Sequence, residues 1–363
     1  MSNARKLAAN LPTDGQIGNR NLIINSAMKV AQRGTASTTT NGFGTVDRFR
    51  IWHGAVGNVA TNQYSGGANA VDGVSNYSFR AQATNTASLA AGSDAHWRYV
   101  VETKDIENIG LTNPNNNFTL SFYVKCSNAG QSSIGITSGN FSSARYIVPY
   151  TIASADTWQR VVMTFPGNAA LSNVDGDFGL RIYWDLGLGT NYQTSTHNQW
   201  ITSGSPFGAA GNLQIIGVYD RWLQITGVQL EVGSDATPFE HEPYSTTLSK
   251  CQRYFYKETT VSTDTGGKLG VASGGSTLVI DHPLPVQMRA KPSVSLTNQN
   301  LRCGDTVAQG FTTTSGTVSL NTYSGSASVT YILGGFSGMT SYRTYLTEPD
   351  TTSTGTVQFE AEL

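Results

Sequence analysis

The segment YWDLGLGTNYQTSTHNQW, residues 183–200, combines aromatic rings with amide and carboxylate side chains. Aromatic faces pack against the C–H surfaces of sugars, while amides and carboxylates replace the hydrogen bonds that sugar hydroxyls lose with water. The segment reads as a long loop between apolar runs, and long loops in compact domains are often functional. We therefore predict a glycan-binding site formed by Trp184, Tyr192, Trp200, Tyr183, Asn198 and Gln199. The alternative is that Trp184 and Trp200 pack under the loop as a local core.

The remaining tryptophans are weaker candidates for a binding site. Trp52, Trp158 and Trp222 lie in alternating strand patterns, which favours a position in the core. Trp97 follows a histidine and precedes an arginine, so it is a secondary candidate for a ligand contact.

Catalytic chemistry has little support in the sequence. A glycosidase needs two carboxylates facing one cleft, but the candidates stand in no motif: Glu102, Asp105, Asp185 and Glu231. The five histidines are scattered, and the patterns GxSxG, HExxH and the P-loop are absent. We predict that the chain is not an enzyme, with a depolymerase as a remote alternative.

No metal or cofactor is predicted either. Asp175 and Asp177 are closely spaced, but Asp-Gly pairs are ordinary turn residues. Cys126, Cys251 and Cys303 are far apart and odd in number, which favours reduced, buried side chains over a disulfide framework or a zinc site.

The elements that position these residues are short strands. In FTLSFYVKCS, residues 118–127, large apolar side chains alternate with smaller or more polar ones, which indicates a strand with one buried face. Similar runs follow at 145–152, 157–167, 178–187 and 222–233, separated by turn-rich stretches. Strands at this spacing without long helical patterns predict an all-β chain with a jelly-roll or β-sandwich domain.

Composition limits the function classes. The 363 residues include 39 glycines, only 13% are charged, and the net charge is −1. Nothing in this balance draws the chain to nucleic acid or to an anionic membrane. No stretch approaches the roughly 20 apolar residues that a membrane helix needs, and the N-terminus lacks the apolar core of a signal peptide.

The chain divides into four predicted parts. Residues 1–20 form an arm with a short helix, whose Leu7 and Leu11 lie at helical spacing and would anchor it. The arm either folds on its own domain or docks on a larger assembly. Residues 21–245 form the jelly roll, and residues 246–257 form a helical connector. A second, smaller β-sandwich-like domain occupies residues 258–363.

Several motifs carry a resemblance to a known group of proteins. NLIINSAMKVAQRGT is followed by DRF, then LQITGVQLEVG and ATPFE, then CQRYF, and later HPLPVQMRAKPSVSL. Together they cover most of residues 16–296 and resemble bacteriophage virion proteins of the tail-fibre or head-fibre type. The resemblance implies a structural protein of the virion, assembled in the bacterial host cytoplasm, that forms a homotrimer and attaches to the host.

The first domain also resembles carbohydrate-binding modules with a jelly-roll fold. Their opening segment and the last strand, here WLQITGVQLE, often hold a structural calcium ion through acidic residues. The corresponding positions are Lys29 and Gly227, which offer an ammonium group and a backbone carbonyl. Since a lysine cannot coordinate calcium, we expect no calcium site of that kind.

The sequence therefore predicts a virion fibre component that attaches to host-surface polysaccharide and contacts other virion proteins through its N-terminal arm. We expect no nucleic-acid partner and no membrane insertion. The alternative is a purely architectural head-decoration, neck or connector fibre without a glycan site. The C-terminal domain is either a distal knob or an oligomerisation lobe, and the sequence does not distinguish these.

Overall fold

The computed structural model describes residues 20–38, 41–54, 58–106, 109–138, 144–172, 178–259, 268–297, 300–305, 310–347 and 356–363. The chain divides into two compact units, Met1–Thr247 with Leu363 and Leu248–Glu362. The division falls within the segment that the sequence predicts as a connector. The predicted anchoring residues Leu7 and Leu11, and the aspartates Asp175 and Asp177, lie outside the described residues.

The first unit is built mainly from strands. The strands are β1 (Ala36–Thr38), β2 (Arg50–Gly54), β3 (Val59–Ser65), β4 (Tyr77–Ala83), β5 (Asp94–Glu102), β6 (Asn117–Cys126), β7 (Gly130–Ser138), β8 (Arg145–Ile152), β9 (Gln159–Pro166), β10 (Phe178–Leu188), β11 (Gln193–Thr194), β12 (Trp200–Ile201), β13 (Gly208–Ala209) and β14 (Trp222–Val232). Helix α1 is Thr103–Ile106, and a 3-10 turn at Gly67–Asn69 precedes β4.

Two six-stranded sheets face each other in this unit. The first sheet has the order β1-β3-β4-β14-β6-β9 and the second the order β12-β8-β7-β10-β5-β2. Four antiparallel pairs are nested along the chain: β4 with β14, β5 with β10, β6 with β9 and β7 with β8. Nested pairs wrapped over two sheets define a jelly roll, so the predicted fold class is confirmed.

The core of the first unit follows from the alternation in the strands. On β6, Phe118, Leu120, Phe122 and Val124 are completely buried and face the second sheet. Burying side chains of this size contributes roughly 1.5–3 kcal/mol each. Trp184 of β10 lies in the same core, as do Trp97 of β5 and Phe79 of β4.

The second unit is also an antiparallel β structure. Its strands are β15 (Phe255–Thr259), β16 (Leu269–Ala272), β17 (Thr277–Pro283), β18 (Ser293–Leu296), β19 (Leu301–Gly304), β20 (Gly310–Thr313), β21 (Thr317–Leu320), β22 (Ser328–Gly334), β23 (Thr344–Thr347) and β24 (Thr356–Glu360). They form a three-stranded sheet, β15-β24-β18, and a seven-stranded sheet, β20-β19-β23-β16-β17-β22-β21. Tyr331 and Phe359 lie at the centre of a separate hydrophobic core.

The predicted connector contains helix α2, Tyr244–Gln252, but its last part is not helical. Phe255–Thr259 forms strand β15, paired over its whole length with β24. Helical spacing alone cannot anticipate a partner strand that lies about a hundred residues further along the chain. The helical part of the predicted connector therefore ends before residue 257.

The three cysteines are free and buried. Within the described ranges, the helices are too short and too polar to span a membrane. The ammonium group of Lys29 donates a hydrogen bond to the backbone carbonyl of Glu242. Among the same described residues, His, Cys, Asp and Glu side chains form no group that could hold a metal ion.

Candidate functional site

The structure corrects two members of the predicted glycan site. Trp184 has no exposed surface and packs between the two sheets, with its ring centroid 6.0 Å from those of Phe49 and Phe122. Tyr183 points to the other side of β10 but is only 1% exposed, because Phe207 covers it at a centroid distance of 5.2 Å. Neither ring can stack on a sugar while this packing persists.

Tyr192 and Trp200 are half-buried and have packing roles. Tyr192 lies against Phe207, with 5.1 Å between the ring centroids. Trp200 closes the edge of the core beside Tyr146, and its indole Nε1 donates to the carbonyl of Pro166 at 3.0 Å. The local-core alternative therefore describes Trp200 as well as Trp184.

Asn198 and Gln199 are exposed. Asn198 adopts a φ of 57°, and its backbone N–H donates to Ile147 at 2.9 Å. Their role in glycan binding stays a prediction. The structure does not bring the six predicted residues together on one exposed surface.

A different set of aromatic side chains meets on the outer face of the first sheet. Tyr64 of β3, Arg80 of β4 and Trp222 of β14 alternate with core residues such as Phe79 and Leu223, so they point away from the core. The antiparallel register places Gln82 opposite Trp222 and Arg80 opposite Gln224. The three strands are neighbours in the sheet, and their side chains form a continuous surface.

Arg80 links the first two rings. Its guanidinium carbon lies 4.4 Å from the ring centroid of Tyr64 and 4.0 Å from that of Trp222. Its Nε and Nη2 donate to Oε1 of Gln224 at 3.0 and 2.7 Å. Burial lowers the pKa of Arg80, but the neighbouring tyrosine opposes this shift. The cation–π contacts and the two hydrogen bonds hold both rings in place.

Lys125 of β6 extends this surface to a third ring. Its Nζ lies 5.9 Å from the centroid of Trp222, 2.9 Å from a carboxylate oxygen of Asp156 and 3.2 Å from the carbonyl oxygen of Ala68. The same carbonyl accepts a hydrogen bond from Nε1 of Trp158 at 3.1 Å. We call this set the aromatic row: Tyr64, Arg80, Trp222, Lys125 and Trp158.

The three rings of the aromatic row are each partly exposed. Polar groups border them, including Gln82, which donates to Asp220 at 2.5 Å, and Asp156, whose side chain is 72% exposed. This arrangement offers apolar ring faces beside amides and carboxylates, the combination that holds a sugar. The prediction that Trp158 and Trp222 belong to the core is therefore wrong.

The alternation of side chains along β14 indicates that Trp222 faces away from the core. Leu223 and Ile225 face the core, so Trp222 shares the outer face with Gln224. Trp52 of β2 follows the same rule: its neighbour Ile51 is in the core, and Trp52 is partly exposed on the outer face of the second sheet. The structure thus also corrects the core prediction for Trp52. Trp97 is completely buried.

Two of the candidate carboxylates, Asp185 of β10 and Glu231 of β14, lie on different sheets. Asp185 lies on the outer side of the second sheet, where it accepts hydrogen bonds from the N–H of Gly187 at 2.8 Å and from Asn212. Complete burial raises the pKa of Asp185 to about 7, although these hydrogen bonds oppose the shift. Glu231 lies on the first sheet and accepts hydrogen bonds from the backbone and hydroxyl of Thr237. The two carboxylates are therefore on different faces.

No family model matches this sequence, and no curated protein matches it. Among solved structures, it is similar to the enzymatically active domain of tailspike protein 4 from bacteriophage CBA120, with 12% identity over 59% of this chain and 22% of that chain, and a TM-score of 0.31. This chain thus spans about a fifth of that tailspike structure.

Two carbohydrate-binding modules are also similar. TmCBM61, solved in complex with β-1,4-galactotriose, shows 9% identity over 60% of this chain and 99% of that chain, with a TM-score of 0.28. The family 11 module of the Clostridium thermocellum cellulase Lic26A-Cel5E shows 12% identity over 55% and 95%, with a TM-score of 0.26. At these values, the similarities carry no argument about function.

Proposed function

We propose that this chain is a non-enzymatic, carbohydrate-binding component of a bacteriophage fibre that attaches to host-surface glycan through the aromatic row. The observation that carries the glycan-binding part is the set of three partly exposed rings that two cations and one backbone carbonyl connect. Arg80 contacts two of the rings, and Lys125 contacts Trp222 and donates to the carbonyl of Ala68, which also accepts a hydrogen bond from Trp158.

The physical reason concerns hydration. Three large rings on an outer sheet face leave apolar surface in water, and a sugar ring removes part of it on stacking. The hydroxyls of the sugar must then regain hydrogen bonds, and the side chains of Gln82, Asp220 and Asp156 stand at the rim. Binding of this kind requires no general acid, base or metal.

The virion part of the proposal is supported by the sequence motifs LQITGVQLEVG, ATPFE and CQRYF. On that basis, the protein works on the virion as a homotrimer, and residues 1–20 contact other virion proteins. The virion location, the trimer and these contacts are all proposals.

The architectural alternative is favoured by one observation in the second unit. Leu269 and Val271 of β16 and Leu346 of β23 are 64%, 46% and 42% exposed on one face of the seven-stranded sheet. Leu269 stands directly opposite Leu346, so the exposed apolar groups are contiguous. An apolar sheet face of this kind suits association with another copy of the chain. Sedimentation of Leu269→Ser/Leu346→Ser should then show a lower oligomeric state than wild type.

The glycan proposal is tested by binding of the purified protein to isolated surface polysaccharide from the host bacterium. We compare wild type with Trp222→Ala/Trp158→Ala, and we confirm folding by circular dichroism. Trp222→Phe keeps an aromatic face and should retain much of the affinity. Trp200→Ala is the matched control, because this tryptophan lies outside the aromatic row.

The proposal requires that the double variant lose about tenfold or more in affinity, while Trp222→Phe and Trp200→Ala lose much less. Equal binding by the folded double variant and wild type would exclude the aromatic row as the site. Absence of wild-type binding to any host polysaccharide would favour the architectural alternative.

A further inference from the structure

The outer face of the second sheet carries four arginines on four of its six strands. They are Arg50 of β2, Arg98 of β5, Arg181 of β10 and Arg145 of β8, and we call this surface the arginine face. Each alternates with core residues of its own strand, such as Ile51, Trp97, Ile182 and Tyr146. The arginines therefore point away from the sandwich core.

The register brings like charges together. Arg50 stands directly opposite Arg98, and Arg98 stands opposite Tyr183 of β10. Arg181 stands opposite Thr137, which in turn stands opposite Arg145. Cross-strand pairs of like charge are destabilising, so this arrangement is not one that sheet formation itself favours.

Electrostatics supports this description for Arg98. Burial lowers the pKa of Arg98, the charges of Arg50 and Arg181 lower it further, and the neighbouring Tyr183 hydroxyl opposes the shift. Charges on Arg98 and Arg50 also add to the effect of burial in lowering the pKa of the neighbouring His96. Arg98 thus lies among like charges, although the whole chain has a net charge of −1.

Arg50 and Arg98 have no acidic partner among the described residues. The Nε atoms of both are buried, and no described residue accepts a hydrogen bond from them. Other arginines of the chain are neutralised locally: Arg343 lies 2.8 Å from a carboxylate oxygen of Asp305, and Arg33 lies 3.9 Å from one of Asp47. The centre of the arginine face therefore lacks the counter-charge that the chain supplies elsewhere.

We propose that the arginine face binds a sugar that bears an oxyanion, either a carboxylate or a sulfate. The guanidinium fork matches the geometry of such groups and donates two parallel hydrogen bonds to them. Trp52 lies beside Arg50, with 5.6 Å between the guanidinium carbon and the ring centroid, and is partly exposed. A ring next to a cation can hold the sugar and its charged group together.

This site is separate from the aromatic row. It lies on the other sheet and uses different residues, so it does not depend on the function proposed above. The distinction is chemical as well: on the aromatic row, Gln224 and Asp156 already bind the cations, and the rings remain for the ligand. On the arginine face, Arg50 and Arg98 have no acidic partner among the described residues, so their charge remains for the ligand.

The test uses three defined polymers as probes: polygalacturonate, its fully methyl-esterified form and dextran sulfate. Affinity electrophoresis of wild type at about 50 mM and about 300 mM NaCl reports the charge dependence. Arg50→Gln/Arg98→Gln removes the two central charges. Lys257→Gln/Lys291→Gln removes two exposed lysine charges of the second unit and is the matched control. Thermal unfolding checks that each variant folds.

Wild type should bind polygalacturonate or dextran sulfate at least about tenfold more tightly than the methyl ester, and the excess should fall at the higher salt concentration. The arginine variant should lose that preference, and the lysine control should keep it. Preference for polygalacturonate identifies a carboxylate ligand, and preference for dextran sulfate identifies a sulfate ligand.

Three results would overturn the proposal: no preference for either anionic polymer, the same preference in the arginine variant as in wild type, or an equal loss in the lysine control. If the arginine variant does not fold, Arg98→Lys replaces it, since lysine keeps the charge but not the fork. The proposal then requires weaker binding by Arg98→Lys, and unchanged binding contradicts it. Trp222→Ala/Trp158→Ala should retain anion binding, which separates this site from the aromatic row.

Discussion

The outer faces of the two sheets of the jelly roll both carry cationic side chains, but their surroundings differ. On the first sheet, Arg80 lies between two aromatic rings and donates to Gln224, and Lys125 pairs with Asp156. On the second sheet, Arg50 faces Arg98 across a strand pair, and neither has an acidic partner among the described residues.

This difference shows that a polar residue type on a sheet face does not by itself indicate what the face binds. On the first sheet, an amide and a carboxylate of the chain bind the two cations, the cations contact aromatic rings, and the rings are left to contact a ligand. On the second sheet, Arg50 and Arg98 have no acidic partner among the described residues, and their charge is left to contact a ligand.

The largest expected effect distinguishes the two sides of the second sheet. Trp184→Ala removes a completely buried ring and should lower the free energy of unfolding by about 3–5 kcal/mol. Trp52→Ala removes a partly exposed ring on the outer side of the same sheet and should cost about 1 kcal/mol. Urea denaturation measures both. Similar costs for the two variants would contradict the assignment of these tryptophans to opposite sides.

The next effect concerns Asp185, which is completely buried on the outer side of the second sheet. Because burial raises its pKa to about 7 from the ordinary 3.8, the native state keeps a proton between these values that the unfolded state releases. The free energy of unfolding should therefore fall as pH rises from about 4 to about 7, by up to roughly 4 kcal/mol from this group.

Asp185→Asn cannot release that proton, so it should lose this part of the pH dependence and be more stable relative to wild type at pH 8 than at pH 5. Denaturation at a series of pH values measures the slope. Asp156→Asn, which alters an exposed carboxylate, is the control and should keep the wild-type slope. An unchanged slope in Asp185→Asn would show that another group is responsible.

A smaller effect tests the segment that covers Tyr183. A Cβ atom on Gly135 would lie 2.1 Å from the backbone oxygen of Phe207, so Gly135→Ala must displace that segment. We expect a loss of about 1–3 kcal/mol in the free energy of unfolding and faster hydrogen exchange around residue 207. At Gly92 the nearest atom is 3.9 Å away, so Gly92→Ala should have little effect. Equal behaviour of the two variants would mean that the covering segment is not held against Gly135.

The smallest effect compares the two faces directly. Arg80→Gln removes two ring contacts and three hydrogen bonds, two to Gln224 and one to Asn69, and should lower the free energy of unfolding by about 1 kcal/mol. Arg98→Gln removes a like-charge contact with Arg50. It should either lower the free energy of unfolding by no more than a few tenths of a kcal/mol or raise it. Thermal and urea denaturation measure the difference. A larger loss for Arg98→Gln than for Arg80→Gln would reverse the comparison.

Much of the fold could be predicted because the core strands carry their own pattern. The run at 145–152 coincides with β8, Arg145–Ile152, and the alternation at 118–127 coincides with the core-facing residues of β6. Strand β7, Gly130–Ser138, was harder to predict, since its small polar residues owe their burial to the segment that packs over Gly135. The end of helix α2 depended on a distant partner strand, β24.

The site was harder to predict than the fold. Trp184 and Tyr183 stand in a polar, aromatic segment, but both sides of β10 are covered, one by the first sheet and the other by Phe207. Composition indicates which residues could bind a sugar, whereas exposure depends on which sheet face remains open. The alternation along β14 places Trp222 on the outer face with Gln224, but only the folded sandwich shows that this face remains open beside Tyr64 and Trp158.

The most direct test of the central claim is hydroxyl-radical footprinting of the wild-type protein with and without saturating host-surface polysaccharide. We expect protection of Trp222, Trp158 and Tyr64, with little change at the exposed Tyr323 and Tyr342 of the second unit. Protection confined to the loop around Asn198 and Gln199, or confined to the second unit, would contradict the aromatic row as the glycan-binding surface.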